Sequence, residues 1–328
     1  MPTRSRTLTA SIFDGFARFD GLEIRADSIT DPRRDRVLPV MEEEQIFMCR
    51  QMDRRLCEVP RGPLALDVGT GSGVFAIWAA ARGCRVLGID VSSRALATAA
   101  ENAERNGIPV VRDFDSLRPG TICLKQLKFG PGFASARRCA NAFDFVFLNP
   151  PYNPTCPGVR VAIHAESGED AQRAFREQIV LAPKVLKRGG WCIGNQMTVG
   201  RAGDWDALHW IKRAFRSRGQ MGWCDILDAP ETATGPFLRE QYSTYLHRTD
   251  RGRPTAAQVS AYVAGVSSRW PMFGLIYYEI NNLGGVYRSQ KLRRCFRPAA
   301  TWSDRVVLHR EIVERSPSAP LRPDAVHT

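Results

Sequence analysis

Leu64-Ala65-Leu66-Asp67-Val68 runs without a break into Gly69-Thr70-Gly71-Ser72-Gly73, and then into an apolar stretch that ends at Ala81. The order reads as a short buried strand, a glycine turn and a helix. Such a turn lets the backbone approach a ligand closely at a helix N-terminus, where N–H groups are unpaired. The next apolar run, Arg85-Val86-Leu87-Gly88-Ile89, ends in Asp90. An acid about 20 residues after the glycine turn is placed to accept hydrogen bonds from ribose hydroxyls. The glycine spacing is G-x-G-x-G rather than the G-x-G-x-x-G of dinucleotide sites, which makes pyrophosphate the weaker reading.

Working outward, strands are expected at 64–69, 84–90, 109–112, 143–148, 190–198, 221–228 and 240–248. Helices are expected at 72–82, 93–106, 169–187 and 203–218. Alternation of this kind predicts an α/β fold, a doubly wound and mostly parallel sheet with helices on both faces. The final two strands would close it as an antiparallel end. Asn106-Gly107 stops the second helix. Asp204 and Asp206 put negative charge in the first turn of the last one, as the helix dipole prefers.

The fourth strand, Phe143-Asp144-Phe145-Val146-Phe147-Leu148, ends in Asn149-Pro150-Pro151-Tyr152. That tetrapeptide offers an amide oxygen, a proline carbonyl and an aromatic face. Together they suit a planar nitrogen, with acceptors for its hydrogens and a ring to hold its plane. Acceptors aimed at those hydrogens favour a pyramidal, charge-gaining transition state over the flat ground state.

With these motifs the chain resembles the class I S-adenosylmethionine-dependent methyltransferases, and among them the release-factor glutamine methyltransferases with an NPPY motif. The matching residues are Leu66–Gly73, Gly88-Ile89-Asp90, Ala100–Gly107 and Asn149–Tyr152, with looser matches at Glu166–Asp170 and Leu186–Gly190. Gly21-Leu22-Glu23-Ile24 and Val37-Leu38-Pro39-Val40 are similar to segments that precede the cofactor fold in those enzymes. The resemblance implies a seven-stranded Rossmann-like sheet, S-adenosyl-L-methionine as cofactor, and no metal. It implies that Gly69, Thr70, Gly71 and Gly73 shape the methionine and ribose end of the site, that Asp67 either helps fix the cofactor's amino group through the loop or is structural, and that Asp90 holds the ribose. Val91 or Ser92 would neighbour the adenine. Asp113 would meet the adenine amino group with Phe114 beside it, Asp115 being the alternative register. Asn149 and Pro150 would hold the acceptor nitrogen and Tyr152 would orient its plane.

Three divisions are expected: residues 1–60 as an N-terminal substrate or lid segment, 61–250 as the methyltransferase domain, and 251–328 as an accessory region with a disordered tail. Residues 115–141 read as an insertion, given Pro119-Gly120 and Gly130-Pro131-Gly132. Trp270, Phe273 and Tyr277, spaced by three and four, read as a buried helical stripe.

The favoured acceptor is a small amino-acid-like or specialised-metabolite molecule with an amide or guanidino nitrogen, because residues 1–60 read as strands plus one helix rather than a helical partner-binding domain. The alternatives are an exocyclic amine of a nucleic-acid base, or a glutamine or arginine of a protein. Glu42-Glu43-Glu44, Glu166, Glu169 and Asp170 flank the expected pocket, and acids turned inward there would favour a cationic acceptor. His164 is a candidate proton acceptor beside the commoner reading of a packing histidine. The net charge of +12 is carried by 46 basic residues, of which six are lysine, an arginine skew that does not by itself mark a nucleic-acid surface. Its densest knot is Arg288, Lys291, Arg293, Arg294 and Arg297. Neither a bilayer-spanning run nor a secretory leader is read from the sequence, and nine cysteines without a C-x-x-C pair fit a reducing cytoplasm.

Overall fold

The computed structural model describes residues 9–11, 15–28, 31–40, 45, 47–159, 161–201, 204–216, 223–228, 232–240, 255–282 and 288–292. A small antiparallel sheet comes first, built from β1 (Thr9–Ser11), β2 (Phe16–Phe19) and β3 (Leu22–Arg25), and α1 (Phe47–Arg55) follows it. The alternating unit then runs β4 (Leu64–Val68), α2 (Val74–Ala81), β5 (Arg85–Asp90), α3 (Ser93–Arg105), β6 (Val110–Val111), β7 (Thr121–Gln126), α4 (Pro131–Ser135) and β8 (Phe143–Leu148). After it come α5 (Arg173–Ile179), α6 (Ala182–Val185), β9 (Leu186–Arg201), β10 (Asp204–Trp205), α7 (Asp206–Arg216), β11 (Trp223–Asp228), β12 (Thr232–Ala233), α8 (Thr234–Glu240), α9 (Ala256–Arg269), β13 (Met272–Asn281) and β14 (Arg288–Leu292).

These strands form an 11-stranded sheet with the central order β14-β11-β13-β9-β8-β4-β5-β7-β6. Pairing is parallel from β9 through β8, β4, β5 and β7, and antiparallel where β13 meets β9 and β11. The doubly wound, mostly parallel reading therefore holds. Every residue of β4 and β8 is buried, as expected of central strands covered on both faces. Along β8 the side chains alternate. Phe145 and Phe147 pack with Trp78, Ile77, Met48 and Ile24 on one face, and Val146 and Leu148 pack with Phe175, Ile179, Ile211 and Phe215 on the other.

Two expectations about the sheet are corrected. The strand beside β5 is Thr121–Gln126, inside the stretch read as an insertion, while Val110–Val111 is only a two-residue edge beyond it. Residues 251–328 are not separate from the sheet either, because Met272–Asn281 lies between β9 and β11. Phe273 and Tyr277 are buried as expected, but on a strand and not on a helix. The run Phe273-Gly274-Leu275-Ile276-Tyr277-Tyr278 is apolar at every position, which suits a strand covered on both faces. The strand expected at 240–248 and the arginines at 293, 294 and 297 lie outside the described residues, apart from Glu240, which ends α8. The expected helix at 169–187 is two shorter ones, α5 and α6, and β9 begins at Leu186.

Asn102 on α3 and Asn106, which caps its C-terminus, bind β3 through its backbone. Asn102 Oδ1 accepts the Arg25 N–H at 2.9 Å, and its Nδ2 donates to the carbonyls of Arg25 and Ser72 at 2.6 and 2.8 Å. Asn106 does the same at Glu23, accepting at 2.8 Å and donating at 2.7 Å. The buried Asn102 amide thus joins the N-terminal sheet to the glycine turn through Ser72. Asn102→Ala is expected to cost about 1–3 kcal/mol, the penalty for buried polar groups left without partners. Urea denaturation of both proteins measures it, and an unchanged midpoint would contradict the assignment.

Candidate functional site

Where β4 turns out to β5 on one side and to β8 on the other, the winding direction reverses, and ligands of doubly wound sheets bind outside the carboxyl ends of the strands at such a point. A cavity of about 290 Å³ opens there. Its floor is the glycine turn after β4, the end of β5 at Asp90 and the Asn149–Tyr152 segment after β8. Residues 35–38 and 163–164 form one wall, and Leu127, Phe129 and Gln178 belong to another.

The turn is held from beneath. Asp67 is 1% exposed; its Oδ2 accepts from the Thr70 hydroxyl at 2.7 Å and from the Ala76 N–H at 3.2 Å. Burial pushes the Asp67 carboxyl up to about 7, against the lowering effect of those two hydrogen bonds. Both contacts are internal and hold the turn, and Asp67 lies outside the cavity lining. Gly69 and Gly71 have φ of 71° and 53°, and a Cβ on Gly69 would meet nothing within 4 Å. The left-handed conformation, rather than crowding, is what these glycines provide, and it turns backbone groups towards the cavity. Gly73 differs from them and is also absent from the lining. A Cβ there would come within 3.0 Å of the Ala99 Cβ, so this glycine allows α2 and α3 to approach.

Asp90 lines the cavity, and its carboxylate is braced by two backbone donors, Gly71 N–H at 3.0 Å and Ser92 N–H at 2.9 Å. Each oxygen still has a lone pair to offer a hydroxyl. Burial raises its pKa, and the bonds from Ser92 and Gly71 oppose the rise. Val91 and Leu127, 52% and 45% exposed, present apolar surface beside it. A braced carboxylate, an open glycine turn and flanking apolar side chains fit the ribose and base of a nucleoside cofactor.

Asp113 and Phe114 are not brought to this place. Asp113 is largely exposed and lies 3.8 Å from Lys125, and Phe114 packs edge-on to Phe143 with ring centres 6.5 Å apart. The alternative acid, Asp115, pairs with Arg138 at 2.6 Å on the surface. The displacement follows from the strand correction: the chain that leaves the sheet beside Asp90 is Leu127-Lys128-Phe129, not Arg112-Asp113-Phe114.

Asn149, Pro150 and Tyr152 all line the cavity. The Asn149 Oδ1 is buried and accepts no hydrogen bond within the protein. Strand register puts Asn195 next to Asn149, one step past the Leu148–Gly194 pair, and both Asn195 amide atoms are buried without partners. Sequence reasoning missed Asn195, although a polar pair inside Trp191-Cys192-Ile193-Gly194-Asn195-Gln196-Met197 was a visible signal. The acids weighed as markers of a cationic acceptor are engaged elsewhere. Glu166 pairs with Arg173 at 2.9 Å, Glu169 with Arg269 at 2.7 Å and Asp170 with Arg176 at 2.5 Å. Glu42, Glu43 and Glu44 lie outside the described residues. His164 lines the cavity, with Nδ1 3.1 Å from the Arg36 carbonyl, and burial, reinforced by the nearby Arg36 charge, pushes its pKa down to about 4. Among the described residues no cluster of three or more His, Cys, Asp or Glu is placed to hold a metal, and no helix is long and apolar enough to cross a membrane.

Residues 65–119 match the family described as a methyltransferase domain. Release factor glutamine methyltransferase of Geobacter sulfurreducens is 30% identical over 229 residues, covering 66% of this chain and 67% of that protein. The same enzyme of Chlorobaculum tepidum is 30% identical over 176 residues, 48% of this chain and 54% of the relative. Ribosomal RNA small subunit methyltransferase C of Alcanivorax borkumensis is 29% identical over 152 residues, 46% and 35% of the two chains. The chain thus spans two thirds of the first of these and about half or less of the other two.

Two measurements check the geometry. Asp90→Ala is expected to weaken S-adenosylmethionine binding by about 1–3 kcal/mol, the scale for losing a charged hydrogen-bond partner, and calorimetric affinity equal to wild type would remove Asp90 from the site. His164 titrates near 6.5 when unfolded and near 4 when folded, so the folded state binds fewer protons between these values. Its contribution to stability is complete above about pH 6.5 and falls away as the pH drops towards 4. His164→Phe is expected to flatten that part of the stability profile in urea titrations, and a slope unchanged from wild type would contradict the buried neutral ring.

Proposed function

The chain belongs to the class I S-adenosylmethionine-dependent methyltransferases and is related to the release factor glutamine methyltransferases, and from that premise we propose that it methylates an uncharged planar nitrogen, the amide of a small amino-acid-like acceptor. The observation that carries this reading is the buried, unpartnered Asn149 Oδ1 at the end of β8, in the cavity that also holds Asp90 and the glycine turn. An acceptor oxygen left in this state costs stability unless a ligand satisfies it. An N–H of the methyl acceptor is the matching donor.

The cofactor, when bound, supplies an electrophilic methyl group on a sulfonium with a good leaving group. What remains for the protein is alignment and charge placement. Gly69, Thr70, Gly71 and Asp90 would hold the cofactor, with the apolar surfaces of Val91 and Leu127 beside its base. Asn149 Oδ1 and the Pro150 carbonyl would accept from the acceptor N–H groups, while Tyr152 limits the tilt of its plane. Hydrogen bonding at those hydrogens raises electron density on a nitrogen whose lone pair is otherwise delocalised.

Glu166, Glu169 and Asp170 each pair with an arginine and do not line the cavity, so they offer no support for a guanidinium acceptor. A cytoplasmic setting, where this cofactor is available, goes with the proposal.

Purified protein with labelled cofactor, offered amino-acid metabolites, peptides and total nucleic acid in separate pools, tests the assignment. Label is expected among amide-bearing metabolites, and Asn149→Ala is expected to reduce transfer about a hundredfold or more, the scale for removing one oriented polar group from a transition state, with cofactor affinity nearly intact. Label confined to RNA or DNA would replace the amide with a base amine. Undiminished transfer by the variant would remove Asn149 from the chemistry.

A further inference from the structure

We propose that Gln178 on α5 reads the exocyclic amine of the cofactor's base, its Oε1 accepting an N–H bond in place of the acids after β6, which stand at the surface. The inference rests on the cofactor's placement at Asp90 and is independent of what the methyl acceptor is.

A 6-aminopurine held between apolar side chains brings two N–H donors along one edge, and a site that buries that edge needs an acceptor for them. Asp113 and Asp115 do not supply it, since they are turned to Lys125 and Arg138 at the surface. A different segment stands beside the ribose acid. Leu127 N–H donates to the Asp90 carbonyl at 3.0 Å, and Gln126 Nε2 donates to the Val91 carbonyl at 3.1 Å. Residues 126–127 are thus fastened to the end of β5. From there Lys128 reaches over to Glu177 on α5, with Nζ and Oε2 3.3 Å apart. The next residue of that helix is Gln178.

The helix divides its faces between core and cavity. Phe175 and Ile179 are buried with Val146 and Leu148, whereas Ala174, Glu177 and Gln178, spaced by three and four, line the cavity. Glu177 is exposed at the rim and engaged by Lys128. Gln178 Oε1 is buried and accepts no hydrogen bond within the protein. An acceptor left in that state costs stability unless a ligand brings it a donor. The ion pair sets it against the loop whose Leu127 flanks the base, so the amine of that base is the donor at hand. A carboxamide also suits the partner. It carries an acceptor and a donor in one plane, and adenine carries the complementary pair at its amine and a neighbouring ring nitrogen.

The test titrates the full chain calorimetrically with S-adenosylhomocysteine and with its analogue in which hydrogen replaces the 6-amino group of the base. Wild type is expected to bind S-adenosylhomocysteine about tenfold or more tightly, the effect of roughly one hydrogen bond to a buried acceptor. Gln178→Leu is expected to bring the two ligands within about threefold of each other by weakening S-adenosylhomocysteine alone. Gln178→Glu, whose carboxylate still accepts, is expected to keep most of the preference. Asp113→Asn and Glu177→Gln are expected to keep all of it. The inference is overturned if Gln178→Leu retains the full preference, if Gln178→Glu loses as much as Gln178→Leu, or if Asp113→Asn or Glu177→Gln abolishes the preference. Asp90→Ala, which should weaken both ligands alike, distinguishes the two levels of failure. If it does so while wild type shows no preference, the cofactor's placement stands and the glutamine is removed from base recognition. Failure of wild type to bind either ligand removes both.

Discussion

Hydrogen bonding between β4 and β8 is the constraint on which the site depends. It sets Asp67 opposite Phe147 and Val68 opposite Leu148, so the glycine turn and the Asn149–Tyr152 segment leave the sheet side by side. The two motifs lie about 80 residues apart in the chain, yet their register makes them one cavity floor. A one-residue slip would exchange the faces of Phe145, Val146, Phe147 and Leu148, which pack in two different cores. Burial of those four side chains therefore fixes the site as firmly as any polar contact within it.

The polar framework is layered on that register. Asp67 fixes the turn from below, Asp90 receives its backbone from the side, and Asn102 joins the turn to the N-terminal sheet. Asp67 accepts from the Thr70 hydroxyl and the Ala76 N–H, Asp90 accepts from the Gly71 and Ser92 N–H groups, and Asn102 donates through Nδ2 to the Ser72 carbonyl, so the cavity is shaped before a ligand arrives. Preorganisation of this sort suits a reaction in which alignment supplies most of the rate. Asn149 Oδ1, in the cavity lining, is left without a hydrogen-bond donor from the protein.

Much of this was legible in the sequence because the signals are local. The turn Gly69–Gly73, the strand end at Asp90 and the Asn149–Tyr152 segment each declare themselves within ten residues. The third parallel strand was misplaced because Thr121–Gln126 is preceded by Pro119-Gly120 and ends in Lys125-Gln126, whereas Pro109-Val110-Val111 looked more strand-like in isolation. That error carried Asp113 and Phe114 with it. The last central strand was hidden for a different reason: Trp270, Phe273 and Tyr277 fit a helical spacing, and only pairing with β9 and β11 distinguishes a doubly covered strand from a buried helix. His164 could be read only as a candidate proton acceptor or a packing histidine, since its character depends on a carbonyl 128 residues away.

A crystal structure of the protein with S-adenosylhomocysteine tests the central claim most directly. The expected structure has ribose hydroxyls on the Asp90 carboxylate, the base between Val91 and Leu127, and the sulfur facing Asn149 across the cavity. A ligand whose base lies against Asp113 or Asp115, or whose sulfur faces away from Asn149, would contradict it.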